Sequence, residues 1–156
     1  MSDSNIPSRI LIVEDEPPQR KIVKKFMEKS GFEVAEAKNG EEALKYFIGN
    51  TVPFDVVILD FLLPDMTGID TLRTIRQLKR SIQQPMVIIY SAVSRNVSQE
   101  DSIKLDIFDI IQKGSMKKLL ESVKSAVKVI KNKTGINKIL AEILVEHRKL
   151  EGKLNG

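Results

Sequence analysis

The stretch Phe54-Asp55-Val56-Val57-Ile58-Leu59-Asp60 decides the fold that the sequence predicts. Val56 to Leu59 are consecutive apolar residues rich in β-branched side chains, which is typical of a strand buried on both faces of a parallel sheet. A carboxylate that directly follows such a strand lies at the carboxyl edge of the sheet, where open α/β sheets bind their ligands. We therefore predict that Asp60 is the chemical centre of this protein.

Four further segments have the pattern of strands, and segments with helical periodicity separate them. The strand segments are 9–13, 32–37, 86–90 and 107–112, and the predicted helices are 17–30, 40–48, 69 to about 80, a short one around Gln99, and 116–130. Alternating strands and helices with short links predict right-handed crossovers and a parallel sheet. The predicted fold is α/β: a doubly wound, flavodoxin-like, five-stranded parallel sheet of order 2-1-3-4-5, with a C-terminal helical extension.

The composition of the 156 residues bounds the class of protein. The chain has no cysteine, which excludes disulfides and Cys-metal chemistry. No apolar run approaches the roughly 18 residues of a membrane span, and no signal peptide pattern opens the sequence. The sequence therefore predicts a cytoplasmic protein with no membrane association.

Charge is distributed unevenly along the chain. Residues 1–112 hold 14 basic and 17 acidic side chains, net −3, whereas residues 113–156 hold 11 and 4, net +7. The basic end is interpreted as a solvated helix face in preference to a nucleic-acid site. Aromatic residues are missing from that segment, which weakens a stacking role with single strands.

Polar residues of different kinds follow four of the predicted strands: Glu14 and Asp15, Asp60, Ser91, and Lys113. Taken alone, each has an ordinary structural explanation, such as a helix cap, a turn or a surface charge. Parallel strands bring all of them to one edge of the sheet. Three carboxylates in one place repel unless a cation joins them, and hard oxygen ligands suit Mg²⁺.

From Ile10 to about Ile130, the chain resembles the receiver domain of two-component response regulators. The resemblance rests on four motifs: Ile10-Leu11-Ile12-Val13-Glu14-Asp15-Glu16, Leu59-Asp60 with Leu63-Pro64-Asp65-Met66-Thr67-Gly68, Ser91-Ala92, and Lys113. It implies that Asp60 accepts a phosphoryl group from a sensor histidine kinase or a histidine phosphotransfer protein. The protein would then be a phosphoacceptor that signals by conformational change to a downstream protein partner, not an enzyme.

The same resemblance implies roles for the other residues. Asp15 and Asp60 would bind Mg²⁺ directly, Glu14 through water, and the backbone carbonyl of Leu62 would complete the protein ligands. Lys113 would pair with the Asp60 carboxylate and then with a phosphate oxygen. Ser91 would hydrogen-bond the phosphoryl group and draw its loop inward.

This sequence departs from the family pattern at two places near the fifth strand. Ile110 stands where the family usually has an aromatic switch residue, and Gly114 stands where a proline usually follows the lysine. A further expectation concerns Leu62 and Val93, which flank the phosphoryl group in this family. Neither side chain can orient an attacking water, so we expect slow self-hydrolysis of the phosphorylated protein.

The predicted organisation is a flexible N-terminus over 1–8, a receiver domain over 9–131 and a helical extension over 132–156. Asn132-Lys133-Thr134-Gly135 predicts a break, after which a second helix runs from about 136 to 151. Its apolar stripe either folds back on the domain or serves as a dimer, partner-binding or connecting helix. A homodimer would use this helix or the face around the fourth and fifth strands. His147 is interpreted as a packing or surface residue.

Two other functions compete with the phosphorylated switch. A non-phosphorylated receiver-like interaction module would keep the fold, although the intact acidic residues, Ser91 and Lys113 argue against it. A phosphohydrolase of the haloacid dehalogenase type usually needs a second aspartate two positions after the nucleophile, where this chain has Leu62. No helix-turn-helix pattern is present, so DNA binding by this chain is not expected.

Overall fold

The computed structural model describes residues 6–49, 52–78, 84–93 and 96–154. Strands and helices alternate through this part of the chain. The elements are β1 (Arg9–Val13), α1 (Pro17–Lys29), β2 (Glu33–Ala37), α2 (Gly40–Gly49), β3 (Val56–Leu59), α3 (Gly68–Gln77), β4 (Met86–Ser91), α4 (Gln99–Lys104), β5 (Ile107–Gln112) and α5 (Met116–Leu154). The predicted end of α3 near Arg80 lies outside the described residues.

The five strands form one parallel sheet of order β2-β1-β3-β4-β5, which confirms the predicted topology. Val13 pairs with Leu59, so the carboxyl ends of β1 and β3 are level, and Leu59 pairs with Ile89, two residues before the end of β4 at Ser91. Residues that directly follow these strands consequently lie side by side along one edge.

Alternate residues of the central strands face two separate apolar cores. Val57 and Leu59 pack on one side against α2 and α3, whereas Val56 and Ile58 pack on the other side against α1 and α5. All four side chains of β3 are buried, as the unbroken apolar run predicted. Burial of both faces holds the strand that carries Asp60 rigidly in the middle of the sheet.

The predicted break at 132–135 is wrong, because α5 runs without interruption from Met116 to Leu154, over 39 residues. Within the predicted break, the Thr134 hydroxyl donates a hydrogen bond of 3.0 Å to the Ile130 carbonyl of the preceding turn. Gly135 costs a helix about 1 kcal/mol relative to alanine, which good helix formers on both sides can offset. The predicted domain boundary at residue 131 stays a prediction.

Of the two alternatives for the extension, the structure excludes the one in which the helix folds back on its own domain. Every side chain from 131 to 153 is exposed. At 1.5 Å per residue, these 23 residues project roughly 34 Å beyond the sheet domain. Of the predicted flexible N-terminus, residues 1–5 lie outside the described part of the chain. None of the helices described combines the length and hydropathy that a bilayer crossing requires.

Candidate functional site

All the residues predicted to carry chemistry meet at the carboxyl edge of the sheet. Glu14 and Asp15 follow β1, Asp60 follows β3, Ser91 ends β4 and Lys113 follows β5. Glu14, Asp60 and Ser91 are buried, whereas Asp15 is exposed. The topology therefore converts four distant segments of sequence into one cluster.

Backbone hydrogen bonds extend the sheet one residue past the strand ends and fix where these side chains start. The Asp60 N–H donates to the Val13 carbonyl at 3.1 Å, and the Lys113 N–H donates to the Ser91 carbonyl at 3.1 Å. Because their backbones are hydrogen-bonded to the sheet, Asp60 and Lys113 are held rigidly, as a preorganised site requires.

Lys113 joins the two buried carboxylates. Its Nζ lies 2.7 Å from Asp60 Oδ2 and 2.7 Å from Glu14 Oε2, and both are charge-assisted hydrogen bonds. A buried carboxylate without a partner would be strongly destabilising, so one ammonium group that serves two of them holds the arrangement together.

The shared ammonium group does not affect the two carboxyl groups equally. Burial raises the pKa of Glu14 to about 7, and its hydrogen bond and charge repulsion with Asp60 add to the effect of burial. Burial also raises the pKa of Asp60, but hydrogen bonds from Lys113, Glu14 and Ser91 outweigh burial and leave that pKa below its ordinary value. For Lys113, burial lowers the pKa, yet the two carboxylates raise it overall. Asp60 is thus the ionised carboxylate of the pair.

The acidic residues have the geometry of a small cation site. Glu14, Asp15 and Asp60 each offer one carboxylate oxygen, and these oxygens lie within 4.8 Å of one another. Hard, negatively charged oxygens at such spacing fit Mg²⁺, which binds a few carboxylates and keeps the rest of its shell for water or phosphate. The residues present therefore fit a magnesium ion.

The loops after β3 and β4 contact the central carboxylate through Leu62 and Ser91. The Leu62 N–H donates to Asp60 Oδ1 at 3.3 Å, and the Leu62 side chain points toward solvent with 54% of its surface exposed. The Ser91 hydroxyl helps to lower the pKa of Asp60, and it accepts a hydrogen bond from the Val93 N–H at 3.3 Å. Ser91 is therefore tied both to the acidic cluster and to the following loop.

The position usually occupied by an aromatic residue holds a half-buried aliphatic one. Ile110 packs against the core that contains α2 and α3. A nearby aromatic, Tyr90, is buried and held in place, since its hydroxyl accepts from the Gly114 N–H at 3.3 Å and donates to Met116 Sδ at 3.8 Å. Ile110 is not aromatic, and Tyr90 is buried, so neither residue provides an aromatic side chain on the surface at this position.

Sequence reasoning missed Arg20, which supports the loop that carries the acidic pair. Its Nη1 donates to the Glu14 carbonyl at 2.8 Å and to the Asp15 carbonyl at 3.4 Å, while its Nε donates to Glu36 Oε1 at 3.3 Å. No local signal points to this role, because Glu36 reaches Arg20 only through the pairing of β1 with β2.

Sequence reasoning also treated Asp65 and Gly68 only as loop residues. Asp65 accepts hydrogen bonds from the N–H groups of Gly40 and Glu41, both at 2.9 Å, and so caps the start of α2 from 25 residues away. A Cβ on Gly68 would lie 2.1 Å from the Asp60 carbonyl oxygen. Glycine is therefore required where α3 approaches the backbone of the central aspartate.

Comparison with known proteins decides the family. The sequence profile of the response regulator receiver domain matches residues 10–124, which contain every residue of the cluster. The chain belongs to the response regulator receiver family. A receiver-domain fold with an acidic cluster at this edge agrees with the predicted fold and with the predicted class of function.

Two curated proteins show how receiver domains occur within longer chains. The 3',5'-cyclic-nucleotide phosphodiesterase regA of Dictyostelium discoideum is 30% identical over 122 residues, which cover 77% of this chain and 15% of regA. The transcriptional regulatory protein SrrA of Staphylococcus aureus is 35% identical over 82 residues, or 53% of this chain and 32% of SrrA. This receiver domain thus spans about a third or less of the length of these relatives.

The response regulator protein TrrA of Thermotoga maritima is a similar solved structure, 33% identical with a TM-score of 0.66. Its complex with Mg²⁺-BeF covers 76% of this chain and 98% of TrrA. TrrA has also been solved in complex with the histidine kinase ThkA, where the match covers 77% of this chain and 98% of TrrA. TrrA, a receiver domain of this fold, has therefore been observed both with Mg²⁺-BeF and in complex with a histidine kinase.

Proposed function

We propose that Asp60 is the phosphoacceptor of this receiver domain. A carboxylate oxygen of Asp60 forms a bond to phosphorus while the bond between phosphorus and the donor histidine nitrogen breaks, and the nitrogen keeps the electron pair. The lowered pKa of Asp60 supports this role, because an attacking carboxylate has to be ionised.

Lys113 and Ser91 act on the transferred group in this proposal. Phosphoryl transfer depends on positioning and on neutralising charge more than on covalent help from the protein. The Lys113 ammonium, already 2.7 Å from Asp60 Oδ2, neutralises charge on the acceptor and then on a phosphate oxygen. Ser91 gives its hydroxyl hydrogen bond to the phosphoryl group and draws the loop at Val93 with it, because the two are already bonded.

Glu14, Asp15, Asp60 and the backbone carbonyl of Leu62 would hold a magnesium ion in this site. When bound, Mg²⁺ supplies positive charge that stabilises the phosphate oxygens during transfer. The carboxylate oxygens within 4.8 Å of one another support the first three assignments. For the Leu62 carbonyl, the support is that the Leu62 N–H donates a hydrogen bond to Asp60, which places this loop beside the cluster.

The proposed donor is a sensor histidine kinase or a histidine phosphotransfer protein. The complex of TrrA with the histidine kinase ThkA supports this class of partner. The chain then acts as a phosphoacceptor that promotes its own phosphorylation and dephosphorylation, and passes the change to a downstream protein. A cytoplasmic location and the absence of DNA binding by this chain stay predictions.

The Lys113 ammonium shared between Asp60 and Glu14 is the observation that carries this proposal. The test is to incubate the protein with acetyl phosphate and Mg²⁺ and to measure its intact mass. We expect a single added phosphate that is absent in Asp60→Ala and absent with EDTA. Asp65→Asn, which changes a neighbouring acid outside the cluster, should still be phosphorylated.

Other results would favour the competing functions. If the wild type and Asp65→Asn are both folded but neither gains mass under these conditions, the protein is a non-phosphorylated interaction module. Multiple turnover of phosphate monoesters without a stable adduct would indicate a phosphohydrolase. Either result would overturn the assignment of Asp60 as a signalling phosphoacceptor.

A further inference from the structure

The projecting part of α5 carries most of the exposed large apolar side chains in the described part of the chain. Seven of thirteen such residues lie between 136 and 150, and each exposes half or more of its surface. They are Ile136, Ile139, Leu140, Ile143, Leu144, Val145 and Leu150. An apolar surface of this kind on an isolated helix marks a site of association, because a lone helix is only marginally stable in water.

Six of these seven residues lie on one side of a heptad repeat, and Val145 is the exception. With the seven positions named a to g, Ile136, Ile143 and Leu150 occupy d, and Leu140, His147 and Leu154 occupy a. Ile139 at g and Leu144 at e widen the stripe on its two sides. Apolar a and d positions in a 3.5-residue repeat are the pattern by which helices pair with other helices through knobs-into-holes packing.

We propose that this segment, residues 129–154, assembles with the same segment of a second copy of the chain into a parallel, in-register coiled coil. The stripe is self-complementary, since each a or d side chain meets its own counterpart in such an assembly. Six of its apolar residues expose on the order of 100 Å² each, or about 600 Å² per chain, which approaches the area of a specific interface.

The stripe of a and d residues, which forms the seam of the coiled coil, continues toward the receiver domain, and only a parallel pair of helices can use this part of it. Val129 and Ser122 stand seven and fourteen residues before Ile136, on the side of α5 that meets β5, where the Ser122 hydroxyl donates to Asp109 Oδ2 at 2.7 Å. Parallel pairing lets the seam extend back to the half-buried Val129. An antiparallel pair would leave that end of the seam without a partner.

The other predicted dimer surface, around the fourth and fifth strands, is less suited to self-association. Asp109 Oδ1 accepts the Ile110 N–H at 2.8 Å, which occupies a donor on the open edge of β5. Among the described residues, β4 and β5 contribute no large exposed apolar side chain. Most of the apolar area available for a second copy is therefore on the helix, since α4 beside these strands adds only Ile103.

A membrane surface is the strongest alternative occupant of a basic, amphipathic helix. Helices that lie in the membrane interface typically place tryptophan or phenylalanine on the apolar face. The projecting segment has neither, and its acidic residues Glu146 and Glu151 border the stripe at positions g and e. Acidic residues at that border would oppose binding to anionic lipid.

The same two glutamates provide a test of orientation. In a parallel pair, Glu146 at g faces Glu151 at e of the second copy, and the like charges weaken the assembly. Within its own helix, Glu146 has Lys149 at 3.8 Å, and Glu151 has His147 at 3.6 Å. Glu146→Lys should therefore tighten a parallel assembly by creating an opposite-charge pair. In an antiparallel pair g faces g, where the change creates no opposite-charge pair, so no tightening follows.

The first experiment measures the mass of the full chain in solution by sedimentation across a range of concentrations. We expect a multiple of 17.6 kDa, with leucine at two of the three a positions and isoleucine at two of the three d positions allowing more than two strands. Ile143→Glu should shift the protein to the monomer by at least tenfold in dissociation constant. Val145→Glu is the matched control, because Val145 has similar exposure but lies at position f, opposite the seam.

A wild-type monomer at every concentration, or equal effects of Ile143→Glu and Val145→Glu, would overturn the proposal. So would binding of the wild type to anionic vesicles as a monomer that Ile143→Glu abolishes. Circular dichroism of each variant checks that the receiver domain still folds. Asp60→Ala should keep the assembly, so failure of the phosphoacceptor proposal and failure of the coiled coil give different results.

Cross-linking tests the parallel register directly, since the chain has no cysteine of its own. Ile143→Cys places one thiol at a d position, and addition of the oxidant diamide should convert pairs of these thiols to disulfides between identical positions. Val145→Cys should not cross-link under the same conditions. Absence of the Ile143→Cys cross-link in a protein that is oligomeric, or an assembly that Glu146→Lys does not tighten, would overturn the parallel arrangement.

Discussion

Lys113 and Glu14 stand 99 positions apart in the sequence, yet Lys113 Nζ lies 2.7 Å from Glu14 Oε2 in the same geometry that it makes with Asp60. The lysine is thus a bridge between two acids and not the partner of Asp60 alone. Because Glu14 and Asp60 are both buried, the charge of one residue controls the state of the other.

Loss of Lys113 should slow phosphorylation more than loss of any neighbouring cation. Lys113→Ala removes the ammonium group that neutralises the Asp60 carboxylate and the developing charge on the phosphate, and removal of such a group costs on the order of 100-fold in rate. The measurement is the rate of mass gain with acetyl phosphate and Mg²⁺. Lys118→Ala, which removes an exposed cation at the start of α5, should leave the rate nearly unchanged; equal losses would contradict the role of Lys113.

The raised pKa of Glu14 predicts a pH dependence of stability in the metal-free protein. Its folded-state pKa of about 7 exceeds the reference value of 4.5 for the unfolded chain. Since the folded state binds this proton more tightly, the contribution of Glu14 to the free energy of unfolding is greatest below pH 4.5 and falls as the pH rises toward 7.

Urea unfolding in EDTA at pH 5, 6 and 7.5 measures this effect. Glu14→Gln resembles the protonated side chain, so its stability relative to wild type should increase between pH 5 and 7.5. A difference between the two proteins that is the same at all three pH values would show that Glu14 does not titrate in this range.

Arg20 should act as a positioning residue for magnesium binding. Its guanidinium group holds the carbonyls of Glu14 and Asp15, so Arg20→Ala loosens the loop that presents both carboxylates. Loss of such supporting contacts typically costs about tenfold or more in metal affinity. Titration calorimetry with Mg²⁺ measures the affinity directly.

Lys24→Ala is the matched control for Arg20→Ala. Lys24 also contacts Glu36, at 3.1 Å, and removing it takes away one positive charge near the same strand. It makes no hydrogen bond to the loop in the described part of the structure. Equal effects of the two substitutions on Mg²⁺ affinity would show that only charge matters, and would remove the positioning role.

Asp65 should stabilise the domain through the start of α2. Asp65→Ala leaves the Gly40 and Glu41 N–H groups without their acceptor, and loss of a helix cap costs about 1 kcal/mol. Asp65→Asn keeps one carbonyl oxygen as acceptor and should cost less. Urea unfolding at pH 7 provides the comparison; equal stability of wild type and Asp65→Ala would refute the capping role.

Leu62 should keep the phosphorylated state long-lived. Its side chain is exposed beside Asp60 and has no group that can orient an attacking water. We expect wild-type phospho-protein to decay over minutes or longer in Mg²⁺, and Leu62→Gln to decay about tenfold faster because an amide can position the water. Decay of the wild type within seconds, or no acceleration in Leu62→Gln beyond that of Ile48→Gln, would contradict this expectation.

The receiver fold follows from local patterns of sequence because each pattern has a direct physical cause. Unbroken β-branched runs such as Val56 to Leu59 have to be buried on both faces, and helical repeats between them enforce parallel crossovers. Local sequence gave the wrong prediction at Asn132 to Gly135, where residues with low helix propensity predicted a break in the last helix. The low helix propensity of these residues costs only a small free energy, and the helical turns on both sides compensate for it.

Local patterns along the chain were enough to establish the class of fold, the edge where the acidic residues gather and the heptad stripe of the last helix, because these features depend on periodicity. Three features became visible in the folded protein alone: Lys113 contacts two carboxylates, Arg20 holds the loop of Glu14 and Asp15, and the last helix projects into solvent. These contacts join segments far apart in sequence, and their distances depend on how the sheet and helices pack.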